Sequence, residues 1–236
     1  MITFNGIHSS DPSLDIISVM RASRPISPGH DARVLSITGM DGVIYQGKDR
    51  KPQFITFRFV FDSDSYADKR TAAREIAAWL DTEELSPLIF DDEPDKRYMA
   101  IVIDEIDVEE ILLTGIFYVT LFVPSSYAES TTTKTASPNE GTAETPCIIT
   151  VTMTSDDDSL KITLDETGEF VLLNHDLYVG DEVIIDTNAR TVTVNDVDVR
   201  ADLSYLSDYF KLPRGTFTLT PDPVSTVEVE FRERWK

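Results

Sequence analysis

The sequence predicts a mainly β protein with one α-helix, divided into two domains. Three observations carry that expectation. The last third alternates apolar and polar residues: Val183 and Ile185 share a face, as do Val192 and Val194, Val197 and Val199, Phe217 and Leu219, and Val227, Val229 and Phe231. Period-two alternation over four to eight residues marks half-buried strands. Residues 55–61 do the same in the first half, with Ile55, Phe57, Phe59 and Phe61 on one face. Helical spacing appears in a single window, where Ala73, Ile76, Ala77 and Leu80 recur at three and four residues.

Taken in order, strands are predicted near residues 2–4, 15–20, 33–37, 43–45 and 55–61. Thr38-Gly39-Met40-Asp41-Gly42 is a turn, because its glycines permit positive φ. Pro25 and Pro28 make the segment around them an irregular connection. The helix follows, capped by Asp64 or Ser65 and enriched in alanine. Strands near 98–108 and 115–124 come next. The second carries apolar residues on both faces, Phe117, Val119 and Leu121 against Ile116, Tyr118 and Phe122. Such a strand is expected to be covered on both sides, by the helix on one and by a neighbouring chain on the other.

Residues 125–146 are rich in Ser, Thr and Pro and almost free of large apolar side chains. They read as a linker, or as an exposed loop or hairpin arm. The expected division is a first domain at 1–127, this connection at 128–146 and a second domain at 147–236. Strands near 147–153, 160–164, 169–173 and 177–179 join those of the last third, with turns spaced as in a sandwich or jelly roll.

The chain has 236 residues, with 42 acids against 21 bases, a formal charge of −21. Duplex binders neutralise phosphates with clustered Lys and Arg. The densest basic patch here, Lys69, Arg70 and Arg74, lies among acids, so stable nucleic-acid binding is not expected. No apolar run approaches the ~20 residues that span a bilayer, so no membrane insertion is expected. No secretory signal is visible. The single cysteine, Cys147, points to folding in a reducing cytoplasm.

Motifs for chemistry are sparse. His8, His30 and His175 stand far apart and form no metal-type pair. Neither a nucleophile elbow nor a phosphate loop occurs. Cys147 opens a strand, where a buried, inert thiol is expected. Two acid clusters remain, Asp91-Asp92-Glu93 with Asp95, and Asp156-Asp157-Asp158. Solvated turns are the first reading of both; a calcium site comes after it, and then a hydrolase built on these acid clusters, which would lose turnover on mutation of Asp157 or Asp92. No catalytic, cofactor-binding or metal residue is assigned.

The order of short motifs is more specific than any one of them. The chain opens Ile2-Thr3-Phe4-Asn5-Gly6, an aromatic-Asn-Gly turn, followed by small polar residues. Then come Arg24-Pro25 with Pro28, Gly39-Met40-Asp41-Gly42, Pro87-Leu88-Ile89-Phe90, the acidic turn Asp92-Glu93-Pro94-Asp95 and Tyr98-Met99-Ala100. The end is basic and aromatic, with Arg232, Arg234 and Trp235. In this order, over nearly the whole chain, the pieces resemble the distal tail proteins of long-tailed, non-contractile bacteriophages. The absence of a large insertion in the C-terminal half makes it similar to the minimal members.

The resemblance implies an N-terminal β-sandwich with one helix and a hairpin that forms a hexameric ring around a channel. It implies a C-terminal galectin-like or jelly-roll sandwich that projects outward. The implied partners are further copies of the chain, the tail tube protein, the tail-associated hub or lysin protein and peripheral receptor-binding proteins, with DNA met only in transit. The implied location is the tail tip of a virion, after synthesis in the host cytoplasm, with no enzymatic role. The alternative is a carbohydrate-binding module for host cell-wall glycan, with Tyr178, Tyr205 and Tyr209 as candidate stacking residues.

Overall fold

The computed structural model describes all residues except 26, 63–64, 104–107 and 112–113. The chain is mainly β with one α-helix and forms two units, Met1–Ala128 and Glu129–Lys236.

The first unit holds β1 (Ile2–Phe4), β2 (Ile7–His8), β3 (Ile16–Ser23), β4 (His30–Leu35), β5 (Ile44–Arg50), β6 (Gln53–Asp62), β7 (Ser86–Phe90), β8 (Glu93–Val102), β9 (Val108–Ile111) and β10 (Thr114–Val123). A curled antiparallel sheet runs β2-β1-β7-β8-β10-β6-β3, with β9 beside β10. The alternation read in β6 is the reason it sits at the centre. Ile55, Phe57, Phe59 and Phe61 are all buried, and in β10 so are Phe117, Val119 and Leu121. Phe59 faces Phe117 across the ladder, and their rings stack at 5.0 Å. Gly115 faces Phe61, and a Cβ there would lie 2.2 Å from the Phe61 ring, so the core admits no side chain at that position.

The helix α1 (Tyr66–Leu80) closes this core. Ser65 caps it, accepting the Asp68 N–H at 3.2 Å; Asp64, the other expected cap, lies outside the described residues. The buried stripe is Lys69, Ala72, Ile76, Trp79 and Leu80, with Ala73 half-buried against it; of the residues the sequence reading placed there, Ala77 is exposed. The indole decides the difference. Trp79 packs edge-on against Phe4 and Phe59 and donates Nε1–H to the Phe4 carbonyl at 2.8 Å. Burying that ring gains far more than burying a methyl, so the helix turns to seat it and leaves Ala77 outside.

Strands β4 and β5 form a separate two-stranded ribbon. It extends the expected strands at 33–37 and 43–45 toward the ribbon's base, where residues 46–50 show no alternation because neither face of the ribbon is buried. The expected strand at 98–108 begins earlier, at Glu93, and β8 ends at Val102; residues 104–107 lie outside the described residues.

In the second unit, a five-stranded sheet runs β17-β16-β15-β12-β19 and a three-stranded sheet runs β14-β13-β18. These are β12 (Cys147–Thr152), β13 (Leu160–Leu164), β14 (Phe170–Leu173), β15 (Glu182–Asp186), β16 (Thr191–Val194), β17 (Val197–Asp198), β18 (Leu219–Asp222) and β19 (Thr226–Phe231). Inward residues from both sheets, among them Ile149, Val151, Ile162, Val171, Val183 and Val192, form one core. Val227 and Val229 are only half-buried because β19 is an edge strand. Residues 177–179 do not form the expected strand: Leu177 bridges Asp157, and Tyr178 and Val179 point into solvent. Val197 is likewise exposed, since it follows a tight turn in which Asn195 and Asp196 both have positive φ.

Residues 129–146, read above as linker or exposed loop, are laid along the second unit. Strand β11 (Ala128–Ser130) pairs with the terminal β20 (Arg234–Trp235). Single bridges follow from Lys134 to Phe231, Asn139 to Gly215, Ala143 to Arg234 and Thr145 to Leu212. Asn139 is fully buried and donates to the Ala143 and Pro213 carbonyls. Buried Glu233 accepts from Lys134 Nζ at 2.8 Å and from the Glu140 N–H at 2.7 Å. Hydrogen bonds here take the place of apolar contacts, which is why composition alone gave no sign of order.

Candidate functional site

The chemistry-bearing residues are dispersed and mostly paired. His8 meets Asp91 at 3.1 Å, and the Met1 amine meets the same carboxylate at 3.3 Å. Arg24 lies over the Phe90 ring at 4.0 Å, donates to Tyr98 Oη at 3.1 Å, and pairs with Asp92 and Glu93. Burial pushes the Glu93 carboxyl up, but hydrogen bonds from Arg24 and Lys96 outweigh it and hold the group below its usual range. Asp91 behaves alike, with burial outweighed by His8 and the amine. A general acid needs the opposite shift. Beside this turn is a cavity of about 290 Å³ lined by Met1, Ile2, Val19, Phe57, Phe90, Asp91 and Asp92.

In the second unit, Asp156 accepts the Val179 N–H at 2.8 Å and so ties down the 178–180 loop, while Asp157 accepts the Ser159 N–H at 3.2 Å and shapes its own turn. His175 pairs with Asp202 at 2.7 Å. Burial pushes the Cys147 thiol up to about 12, against a hydrogen bond from Thr187 and with a contribution from Asp186. Among the described residues, no group of three or more His, Cys, Asp or Glu could hold a metal ion. Of the three tyrosines considered for stacking, Tyr209 packs against the core, while Tyr178 and Tyr205 are exposed by 61% and 94%. Among the described residues, no helix is long and apolar enough to cross a membrane.

What the first unit does offer is uncovered apolar surface. The β4–β5 ribbon and its tip expose Val34, Leu35, Ile37, Met40, Val43 and Tyr45. Gly39 and Gly42, both at φ +85°, make the reversal at the tip. The outward face of the sheet adds Met20, Phe54 and Tyr118, in rows set by the register: Met20 beside Arg58 beside Tyr118, and Phe54 beside Phe122. The two-faced pattern of residues 116–122 was the sequence signal for this surface. The ribbon's strands and glycine turn were read from the sequence but its exposure was not, because alternation cannot tell an uncovered face from a buried one. A monomer in water has little use for apolar area of this extent, and such area marks contact with another molecule.

Two family models divide the chain between them. Residues 13–123 match the phage tail protein RIFT-related domain, and residues 140–235 match the C-terminal domain of the siphovirus-type tail component. No curated protein matches. Among solved structures, the Dit protein of phage SPP1, described as a paradigm of the hub adsorption apparatus in phages that infect Gram-positive bacteria, is 15% identical. That match has a TM-score of 0.78 and covers 100% of this chain and 98% of that one. A chain of the phage p2 baseplate in its activated, calcium-containing form is 10% identical with a TM-score of 0.53, covering 91% of this chain and 90% of that one. The fold, both domain models in their order and the motif series through the chain agree, and the chain belongs to the distal tail protein family of siphophages, with a structural role at the tail tip.

Proposed function

We propose that copies of this chain close into a hexameric ring through the first unit. The ring joins the tail tube to the tail-associated hub or lysin protein, leaves a channel for DNA and carries receptor-binding proteins at its periphery. The role is mechanical and makes or breaks no bond in a substrate. The observation that carries this reading is the β4–β5 ribbon. A two-stranded ribbon with open edges and uncovered apolar side chains is marginal on its own and is stabilised by pairing or cover. A contact between two different patches of identical chains is head-to-tail, and it closes into a ring when the rotation allows. The ribbon and the outward sheet face supply two such patches.

The charge fits the channel role. Acids facing a lumen repel passing DNA, although screening over about 8 Å limits this to residues on the channel wall. The test is imaging of tail particles assembled with a variant in which residues 36–43 are replaced by a short turn. Tails should then lack an ordered tip, while the purified variant keeps its circular dichroism spectrum. Closed rings built from the shortened chain, or tail tips without this polypeptide, would end the proposal.

A second reading, glycan recognition by the second unit, is favoured by one observation, the 94% exposure of Tyr205. Saturable binding of host wall glycan by the full chain, lost in Tyr205→Ala, is its requirement.

A further inference from the structure

We propose that one end of the second unit is a docking face for a protein whose contact surface sets lysine and arginine around an apolar centre. The β register gathers four connections at that end. Thr152 faces both Glu182 and Thr226, Leu160 faces Leu173, Lys161 faces Asp222, and Val183 faces Val194. The connections after β12, β14, β16 and β18 therefore emerge together. Cross-links between them agree: Leu177 bridges Asp157, Thr154 Oγ1 donates to the Val224 carbonyl at 2.7 Å, and Asn195 Nδ2 donates to Asp181 at 2.9 Å.

This end presents apolar side chains where turns ordinarily carry polar ones. Tyr178 and Val179 are exposed in the second connection, Val197 follows the third by 64% exposed, and Val224 in the fourth is 82% exposed. None of them is needed by the core. The loop that carries the first pair is fixed in advance. Tyr178 N–H donates to Asp181 at 2.8 Å, Val179 N–H to Asp156 at 2.8 Å and Gly180 N–H to the Met153 carbonyl at 2.9 Å. Holding the loop this way lowers the ordering cost of binding.

Charge selects the occupant. Residues 153–159, 174–181, 195–197 and 222–225 contain seven acids and no lysine or arginine. A second copy docking by the same end meets like charge, and so does a nucleic acid. An uncharged glycan gains nothing from the acid rim. A protein surface with a basic rim and an apolar centre gains from both features, through steering by the rim and burial of Tyr178, Val179, Val197 and Val224. The surface lies within the second unit and does not depend on ring closure.

The test uses the full chain carrying a photo-crosslinking residue at Val224, assembled into tail particles and irradiated. The expected product is a conjugate with one protein, mapped by mass spectrometry to a segment with lysine or arginine beside apolar residues. Neutralising Asp158, Asp176 and Asp222 to Asn leaves the Asp156 and Asp181 contacts in place and should cut the yield by about tenfold at physiological salt. A conjugate with another copy of this chain, with glycan or with nothing would overturn the proposal. So would a yield unchanged in the neutralised variant.

Discussion

Glu233→Ala should release residues 131–145 from the second unit without unfolding the sandwich. Glu233 is 5% exposed and its carboxylate accepts two hydrogen bonds, from Lys134 Nζ at 2.8 Å and from the Glu140 backbone at 2.7 Å. A hydrogen bond to a buried charged group contributes about 1.5–3 kcal/mol. Lys134 is a third exposed and regains water when released, so its share is discounted to about 0.5–1 kcal/mol. The local loss is therefore about 2–4 kcal/mol, or roughly a 30- to 700-fold rise in the opening equilibrium at ~1.4 kcal/mol per decade. Hydrogen exchange reads it directly. The amides of Lys134, Asn139, Ala143 and Thr145 donate to the carbonyls of Phe231, Gly215, Arg234 and Leu212 and should be protected in the parent. In the variant they should exchange faster by that factor, while amides of β13 and β14 stay unchanged. Exchange at unstructured-chain rates in the parent would restore the linker reading and refute the reasoning, and identical protection in the variant would refute the assigned role of Glu233.

Gly115→Ala should destabilise the first unit by about 1–3 kcal/mol, because the new methyl meets the fully buried Phe61 ring, and Trp79 fluorescence during urea unfolding in a Trp235→Phe background reports it. Glu93 is held below its usual range, so its contribution is present above the ordinary carboxylate pKa and is lost as pH falls through the folded value. Glu93→Gln should therefore flatten the acid limb of first-unit melting below the ordinary carboxylate pKa, measured by a pH series of thermal scans. Cys147 shifts the other way. Its folded value of about 12 lies above its ordinary one, so the stability it contributes is complete below about pH 8.5 and is lost as pH rises toward 12. At pH 8 the thiol should resist an aromatic disulfide reagent until the second unit is unfolded with denaturant; prompt labelling of the native chain would contradict its burial.

The core was legible in the sequence because burial and alternation are the same fact seen twice. Ile55 to Phe61, Val183 with Ile185 and Val192 with Val194 were assigned to inner faces, and each is buried. The helix was located, and Ile76 and Leu80 do face the core, but Trp79 was missed and Ala77 put in its place, since spacing alone weighs Ala77 like Trp79 while the packed core does not. The connection at 129–146 shows the complementary blind spot. Asn139, Thr145 and Glu233 are buried through hydrogen bonds to partners up to about a hundred residues away in sequence, and no local pattern encodes such partners.

The surfaces follow the same logic. An apolar residue outside the core leaves the same mark in a sequence as one inside it. Val197 was assigned to a buried face and is exposed, as Tyr178 and Val179 are. In a chain that acts by assembling, positions where alternation predicts burial and the monomer does not supply it are where a partner is to be sought. Residues 116–122 in the first unit and the loop end of the second are two such places, and they differ in charge. The sheet face carries Arg58 among apolar residues and suits contact with an acidic copy of itself, whereas the loop end, ringed by acids, repels one. On the two proposals made above, that difference would let one polypeptide hold its own copies through the first unit and a foreign protein through the second without confusing the two.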